Sequence, residues 1–128
     1  MIDVTLIGTA ALAPTPQRAL AAACAVCQGR GVLFDCGEGT QTAARKAGVS
    51  LMKVDVIALT HYHGDHIFGL PGLMQTLHSL GRAEPLYITG PQGLREAYCA
   101  VFIRFIARRS SSRISKTLSS SETALPQS

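Results

Sequence analysis

An apolar, β-branched run at residues 54–60 breaks directly into His61-Tyr62-His63-Gly64-Asp65-His66. Three histidines and an aspartate thus fall within six positions, spaced His-x-His-x-Asp-His. Imidazole and carboxylate are the donors that borderline divalent ions such as zinc prefer. Residues two apart share a face of an extended segment, so His61 and His63 are expected to point the same way. Gly64 is expected to let the backbone bend without a Cβ clash, bringing Asp65 and His66 to the same point. A tight loop after a buried strand therefore predicts a metal site and makes a metal hydrolase the leading class. Such an ion lowers the pKa of bound water to about 7, and a pair about 3.5–4 Å apart clamps both oxygens of a phosphodiester displacement.

The chain of 128 residues has the length of one domain. Trp is absent and aromatics make up 5%, so any core is built from Val, Ile, Leu and Ala. The net charge of +4 is unevenly placed: residues 1–105 hold eight Lys/Arg and seven Asp/Glu, and residues 106–128 hold four Lys/Arg and one Glu. The basicity belongs to the C-terminal segment and does not by itself require nucleic acid. No secretory leader opens the chain, and no apolar run approaches the length of a membrane span. A cytoplasmic location with reduced thiols at Cys24, Cys27, Cys36 and Cys99 is the expectation.

Strands are predicted at residues 1–7, 32–35, 54–60 and 86–89, and helices at 40–47, 71–80 and 94–106. Thr40 is the expected cap of the first helix and Gly48 its stop; Pro71 opens the second. Residues 19–27 are Ala-rich, which favours a helix, but they sit between two strands, which favours a third; the pattern leaves both open. Gln28-Gly29-Arg30-Gly31 reads as a hairpin turn. Residues 108–128, rich in Ser, Arg and Thr without apolar periodicity, are expected to be a disordered tail.

Asp35, at a strand end before Cys36-Gly37-Glu38-Gly39, suits either support of a metal-bound histidine or capping of the turn. Cys24-x-x-Cys27 lacks a second ligand pair at zinc-site spacing, and its surroundings read as core. His78 is expected on a helix, as a surface or packing residue rather than a metal ligand.

Thr60 to His66, continuing through Phe68-Gly69-Leu70-Pro71-Gly72-Leu73, resembles the signature of the metallo-β-lactamase fold, and more narrowly its ribonuclease Z branch. Leu6-Ile7-Gly8-Thr9, Phe34-Asp35-Cys36-Gly37-Glu38-Gly39-Thr40-Gln41 and Tyr87-Ile88-Thr89-Gly90-Pro91-Gln92-Gly93-Leu94 resemble flanking blocks of that branch. The resemblance implies an α/β fold, the N-terminal half of a metallo-β-lactamase-like αββα sandwich. It places that domain portion at residues 1–107, with the tail at 108–128. It implies two zinc ions, His61 and His63 on one and Asp65 and His66 on the other, with Asp65 as catalytic base. The implied activity is endonucleolytic cleavage at the 3′ end of precursor tRNA by a cytoplasmic homodimer with no membrane association.

A full site of this kind takes a further histidine, a bridging aspartate and a last histidine, yet no histidine follows His78 and no aspartate follows Asp65. The chain is therefore expected to be a truncated member, inactive or impaired. Alternative readings of the motif are another hydrolase of the same fold, of arylsulfatase or phosphodiesterase type, and a non-catalytic metal-binding fragment.

Overall fold

Alternation across paired strands sorts one sheet into a buried and an open face. The computed structural model describes residues 1–102 of the chain. Five strands, β1 (Ile2–Gly8), β2 (Ala22–Cys27), β3 (Arg30–Phe34), β4 (Val54–Ala58) and β5 (Tyr87–Thr89), lie side by side in sequence order. The first three pair antiparallel, β3–β4 and β4–β5 parallel. Antiparallel neighbours need only a tight turn, and Gln28 and Gly29 supply it with φ of 50° and 77°. Parallel neighbours need crossovers. Helix α1 (Thr40–Lys46) lies in the first, α2 (Gly64–Ile67) and α3 (Leu70–Ser79) in the second.

Thr5, Cys24, Leu33, Ile57 and Ile88 form one cross-strand row. Its middle members are buried, together with Ala44, Ile67, Leu70, Leu73 and Leu77 from the helices. Leu70, Leu73 and Leu77 recur at helical spacing, the apolar stripe expected of α3. The neighbouring rows, Val4–Ala25–Val32–Val56–Tyr87 and Leu6–Ala23–Phe34–Ala58–Thr89, belong to the opposite face. That face is open: Val4 and Leu6 are 68% and 70% exposed, Phe34 43%.

The Ala-rich run resolves as strand. Both edges of β2 find partners, Ala23 opposite Leu6 and Phe34, Ala25 opposite Val4 and Val32. Satisfying these backbone groups outweighs the helix preference of alanine. The expected cap of α1 shifts by one residue. Gly39, at φ 86°, holds the N-cap position without a side-chain bond, and Thr40 is the first helical residue. The buried Thr40 hydroxyl instead donates to Gly37 O at 2.6 Å. Gly48, at φ 73°, follows the helix as predicted.

At the start of β4, Asp55 accepts two hydrogen bonds from the Arg30 guanidinium. Arg82 reaches the same carboxylate at 3.3 Å and donates to the carbonyls of Met52, Glu84 and Pro85 at 2.8, 3.1 and 3.0 Å. The Arg82 side chain is only 5% exposed, so four acceptors satisfy a buried cation. Hydrogen bonding from Arg30, above all, holds the Asp55 carboxyl below its ordinary value.

Residues Met1–Leu94 group as one compact unit. A final helix, α4, spans Leu94–Phe102. The rest of its expected length to residue 106, the domain limit at residue 107 and the tail at 108–128 lie outside the described residues. No described helix is long and apolar enough to cross a membrane.

Candidate metal centre

Parallel strands put their carboxyl ends on one edge of the sheet, where α/β folds bind ligands. Asp35 follows β3, residues 59–66 follow β4, and Pro91 follows β5. Backbone pairing carries on past the strands: Asp35 N donates to Ala58 O and Leu59 N to Thr89 O. The metal motif is therefore anchored at its root by both neighbouring strands. Tyr62, between the two first histidines, donates its hydroxyl to Pro91 O.

The motif is not all loop. Gly64–Ile67 closes one helical turn, with His66 N bonded to His63 O at 2.9 Å and Phe68 N to Gly64 O at 3.0 Å. Asp65 and His66 lie on that turn, and Asp65 falls in its first positions, where a carboxylate suits the helix dipole. Gly64 does not take a left-handed conformation there. A Cβ at this position would meet the ring of the exposed Phe68, which would have to swing aside. Two further glycines let the β3 loop lie against α2. A Cβ on Gly37 would meet Asp65 O and Leu20, and one on Gly69 would meet the Gly37 and Cys36 carbonyls. The contact is locked by Cys36 N to His66 O at 2.8 Å and Gly69 N to Cys36 O at 2.9 Å.

Three of the four candidate ligands, His61, His63 and Asp65, group together, and His66 lies beside them. Donor atoms of His61, His63 and Asp65 lie within 4.8 Å of one another. The His61 ring centroid is 4.7 Å from that of His63 and 4.0 Å from that of His66. His66 Nε2 lies 3.4 Å from Asp65 Oδ2.

Asp35 reaches into this cluster from β3. Its carboxylate accepts from Thr60 N at 2.8 Å, contacts Thr60 Oγ1 at 2.9 and 3.1 Å, and takes His66 Nδ1 at 2.9 Å. Of the two roles the sequence left open for Asp35, support of a histidine is realised. The residue sits at φ 58°, a left-handed conformation that aspartate tolerates better than most side chains. In the neutral imidazole, a proton on Nδ1 toward Asp35 would leave the Nε2 lone pair facing the Asp65 carboxylate. Two acceptors facing each other are relieved by a cation between them, so this donor set fits a divalent ion.

Two contributors had no clear sequence signal. Leu12 N donates to Asp65 Oδ2 at 3.3 Å from 53 residues away. Thr60 contacts both Asp35 and His61 Nδ1, the latter at 2.8 Å; its only signal was adjacency to the first histidine. Glu38 and His78 are exposed. Cys24 is buried and Cys27 exposed, and three residues apart on β2 they face opposite sides, which precludes a shared metal. Burial is the main reason the Cys36 thiol is pushed up to about 12.

The family model described as the Metallo-beta-lactamase superfamily matches residues 26–113. The chain is 51% identical over 96 residues to Ribonuclease Z of Clostridium tetani (strain Massachusetts / E88), covering 75% of this chain and 31% of that protein. It is 46% identical over 101 residues to Ribonuclease Z of Agathobacter rectalis, covering 79% of this chain and 33% of that one. Among solved structures, human tRNase Z, short form, superposes with a TM-score of 0.69 at 43% identity, covering 91% of this chain and 41% of that chain. A long form RNase Z from yeast, 16% identical, shares the fold at a TM-score of 0.68, covering 88% of this chain and 17% of its own. The chain thus spans about a third of the length of the curated relatives it matches.

Proposed function

Because the chain belongs to the metallo-beta-lactamase superfamily, we propose that it is the ribonuclease-Z-like N-terminal portion of a zinc-dependent phosphodiester hydrolase acting at the 3′ end of precursor tRNA. The observation that carries this reading is the grouping of His61, His63 and Asp65 donor atoms at the carboxyl end of β4, with His66 against both His61 and Asp65. It is supported by the identity to proteins named Ribonuclease Z. The proposal includes a cytoplasmic homodimer.

In this proposal the four motif residues hold the metal. When bound, zinc supplies a Lewis acid that polarises phosphoryl oxygen and makes water acidic enough to attack. Asp65 serves as general base, taking a proton from the attacking water on a carboxylate oxygen. Leu12 N donates to Asp65 Oδ2, which orients the carboxylate. Asp35 fixes the His66 ring. Within these 128 residues no histidine follows His78 and no aspartate follows Asp65. A two-metal site would need donors that these 128 residues do not carry. That favours a second reading for the chain taken alone: it binds metal and turns over RNA weakly or not at all.

The test pairs zinc analysis of the purified 128-residue chain with cleavage of a precursor tRNA carrying a 3′ trailer. Zinc retained by wild type and lost in His61→Ala, with cleavage no greater than that variant's, supports both statements. Cleavage just after the discriminator nucleotide by wild type, but not by His61→Ala, upholds RNA processing and overturns the impairment. A folded wild-type chain that takes up no zinc overturns the metal site.

A further inference from the structure

Thr60 Oγ1 lies 2.9 Å from Asp35 Oδ2, 3.1 Å from Asp35 Oδ1 and 2.8 Å from His61 Nδ1. A threonine hydroxyl carries a single proton and two lone pairs, whereas an ionised carboxylate can only accept. The proton of Thr60 must therefore point at Asp35. Its oxygen is then left as the acceptor for His61, so His61 carries its proton on Nδ1. Asp35 Oδ2 also accepts from His66 Nδ1 at 2.9 Å. One carboxylate thus engages two imidazoles, His66 directly and His61 through the intervening hydroxyl.

We propose that Thr60 is a positioning residue that extends the Asp35 carboxylate to His61 and thereby sets both His61 and His66 in the Nδ1–H tautomer, with their Nε2 lone pairs left for metal. The inference rests on the metal-site reading above and adds to it the residue that selects the binding nitrogen of His61. Nothing in the motif spacing chooses between the two ring nitrogens, which are chemically close in a free side chain. The choice is made by what the other nitrogen bonds. The His61 and His66 rings lie with centroids 4.0 Å apart, His66 Nδ1 against Asp35 Oδ2 and His61 Nδ1 against the Thr60 hydroxyl. Thr60 N also donates to Asp35 Oδ1 at 2.8 Å, which fixes the backbone from which the hydroxyl reaches.

Thr60 is exposed, so replacing it removes little packing. Thr60→Val keeps the shape and β-branching but deletes the hydroxyl; Thr60→Ser keeps the hydroxyl. Long-range proton–nitrogen correlation spectra of the metal-free, nitrogen-15-labelled chain report the tautomer of each histidine without any need for activity. The expected result is a predominantly Nδ1–H His61 in wild type and Thr60→Ser, and a shift toward the Nε2–H form in Thr60→Val, with His66 unchanged. Zinc affinity is expected to fall about tenfold in Thr60→Val, the lower end of the range for outer-shell partners, and to be restored in Thr60→Ser. A wild-type His61 found mainly as Nε2–H overturns the proposal whatever the variants do. So does a folded Thr60→Val chain with an unaltered His61 tautomer. Failure of wild type to bind zinc, with the tautomers as expected, sinks the metal reading and leaves the hydrogen-bond assignment standing.

Discussion

The carboxylate of Asp35 takes His66 Nδ1 at 2.9 Å across 31 residues of sequence, joining the end of β3 to the helical turn after β4. A single side chain thereby ties the strand edge to the candidate ligands. Its backbone pays for the reach with a left-handed φ of 58°, a conformation available to aspartate and asparagine at lower cost than to most residues.

That shared tolerance makes Asp35→Asn a clean probe. The substitution keeps the backbone conformation and the volume but removes the charge that holds the His66 proton. Zinc affinity, measured by competition with a chromophoric chelator, is expected to drop about 10–100-fold. The far-ultraviolet circular dichroism should stay close to wild type. Unchanged affinity would mean that Asp35 does not support the metal site.

Arg82 acts at the amino end of β4, away from the ligands. Arg82→Met retains much of the buried stem but leaves the Met52, Glu84 and Pro85 carbonyls and part of Asp55 without their donor. Urea unfolding should show a loss of about 2–4 kcal/mol, as expected when a buried charged hydrogen-bonding group is removed. Zinc affinity of the folded variant should not change. A stability within about 0.5 kcal/mol of wild type would show that these bonds contribute little.

The same cluster sets an acid dependence. The Asp55 carboxyl is held below its ordinary value of 3.8, first by the Arg30 hydrogen bond and then by the charges of Arg30 and Arg82. A carboxyl depressed on folding stabilises the native state above its unfolded value. That contribution fades as pH falls through the depressed folded value. Stability should therefore decline below about pH 4 more steeply in wild type than in Asp55→Asn. The Arg30 side chain is 63% exposed, so the effect is small and shrinks further in high salt. Parallel pH profiles for the two proteins would refute the assignment.

The described thiols should react in order of exposure. Cys27 is exposed, while Cys24 and Cys36 are buried and burial raises both thiols. Brief treatment with iodoacetamide near pH 8, followed by peptide mass spectrometry, should label Cys27 well ahead of Cys24 and Cys36. Early labelling of Cys36 would mean that the loop joining β3 to α1 opens readily from its contact with α2.

What is local was legible along the chain. The candidate ligand cluster, the Gln28–Gly29 turn, Pro71 at the start of α3 and Gly48 after α1 are short-range features. Their donors, steric limits and positive-φ demands operate within a few residues. Closure of the fold settled the rest. Residues 22–27 became a strand because two neighbours far apart in the chain, such as Leu6 and Phe34, satisfy the backbone on either side of Ala23. Asp35 became a support for His66, rather than a cap, because parallel pairing of β3 with β4 brings their carboxyl ends together. Leu12 reached Asp65, and Arg82 reached Met52 and Asp55, by the same kind of closure. Hydrogen bonds between distant residues leave no periodicity to read, since their partners are set by how strands stack side by side and not by spacing along the chain.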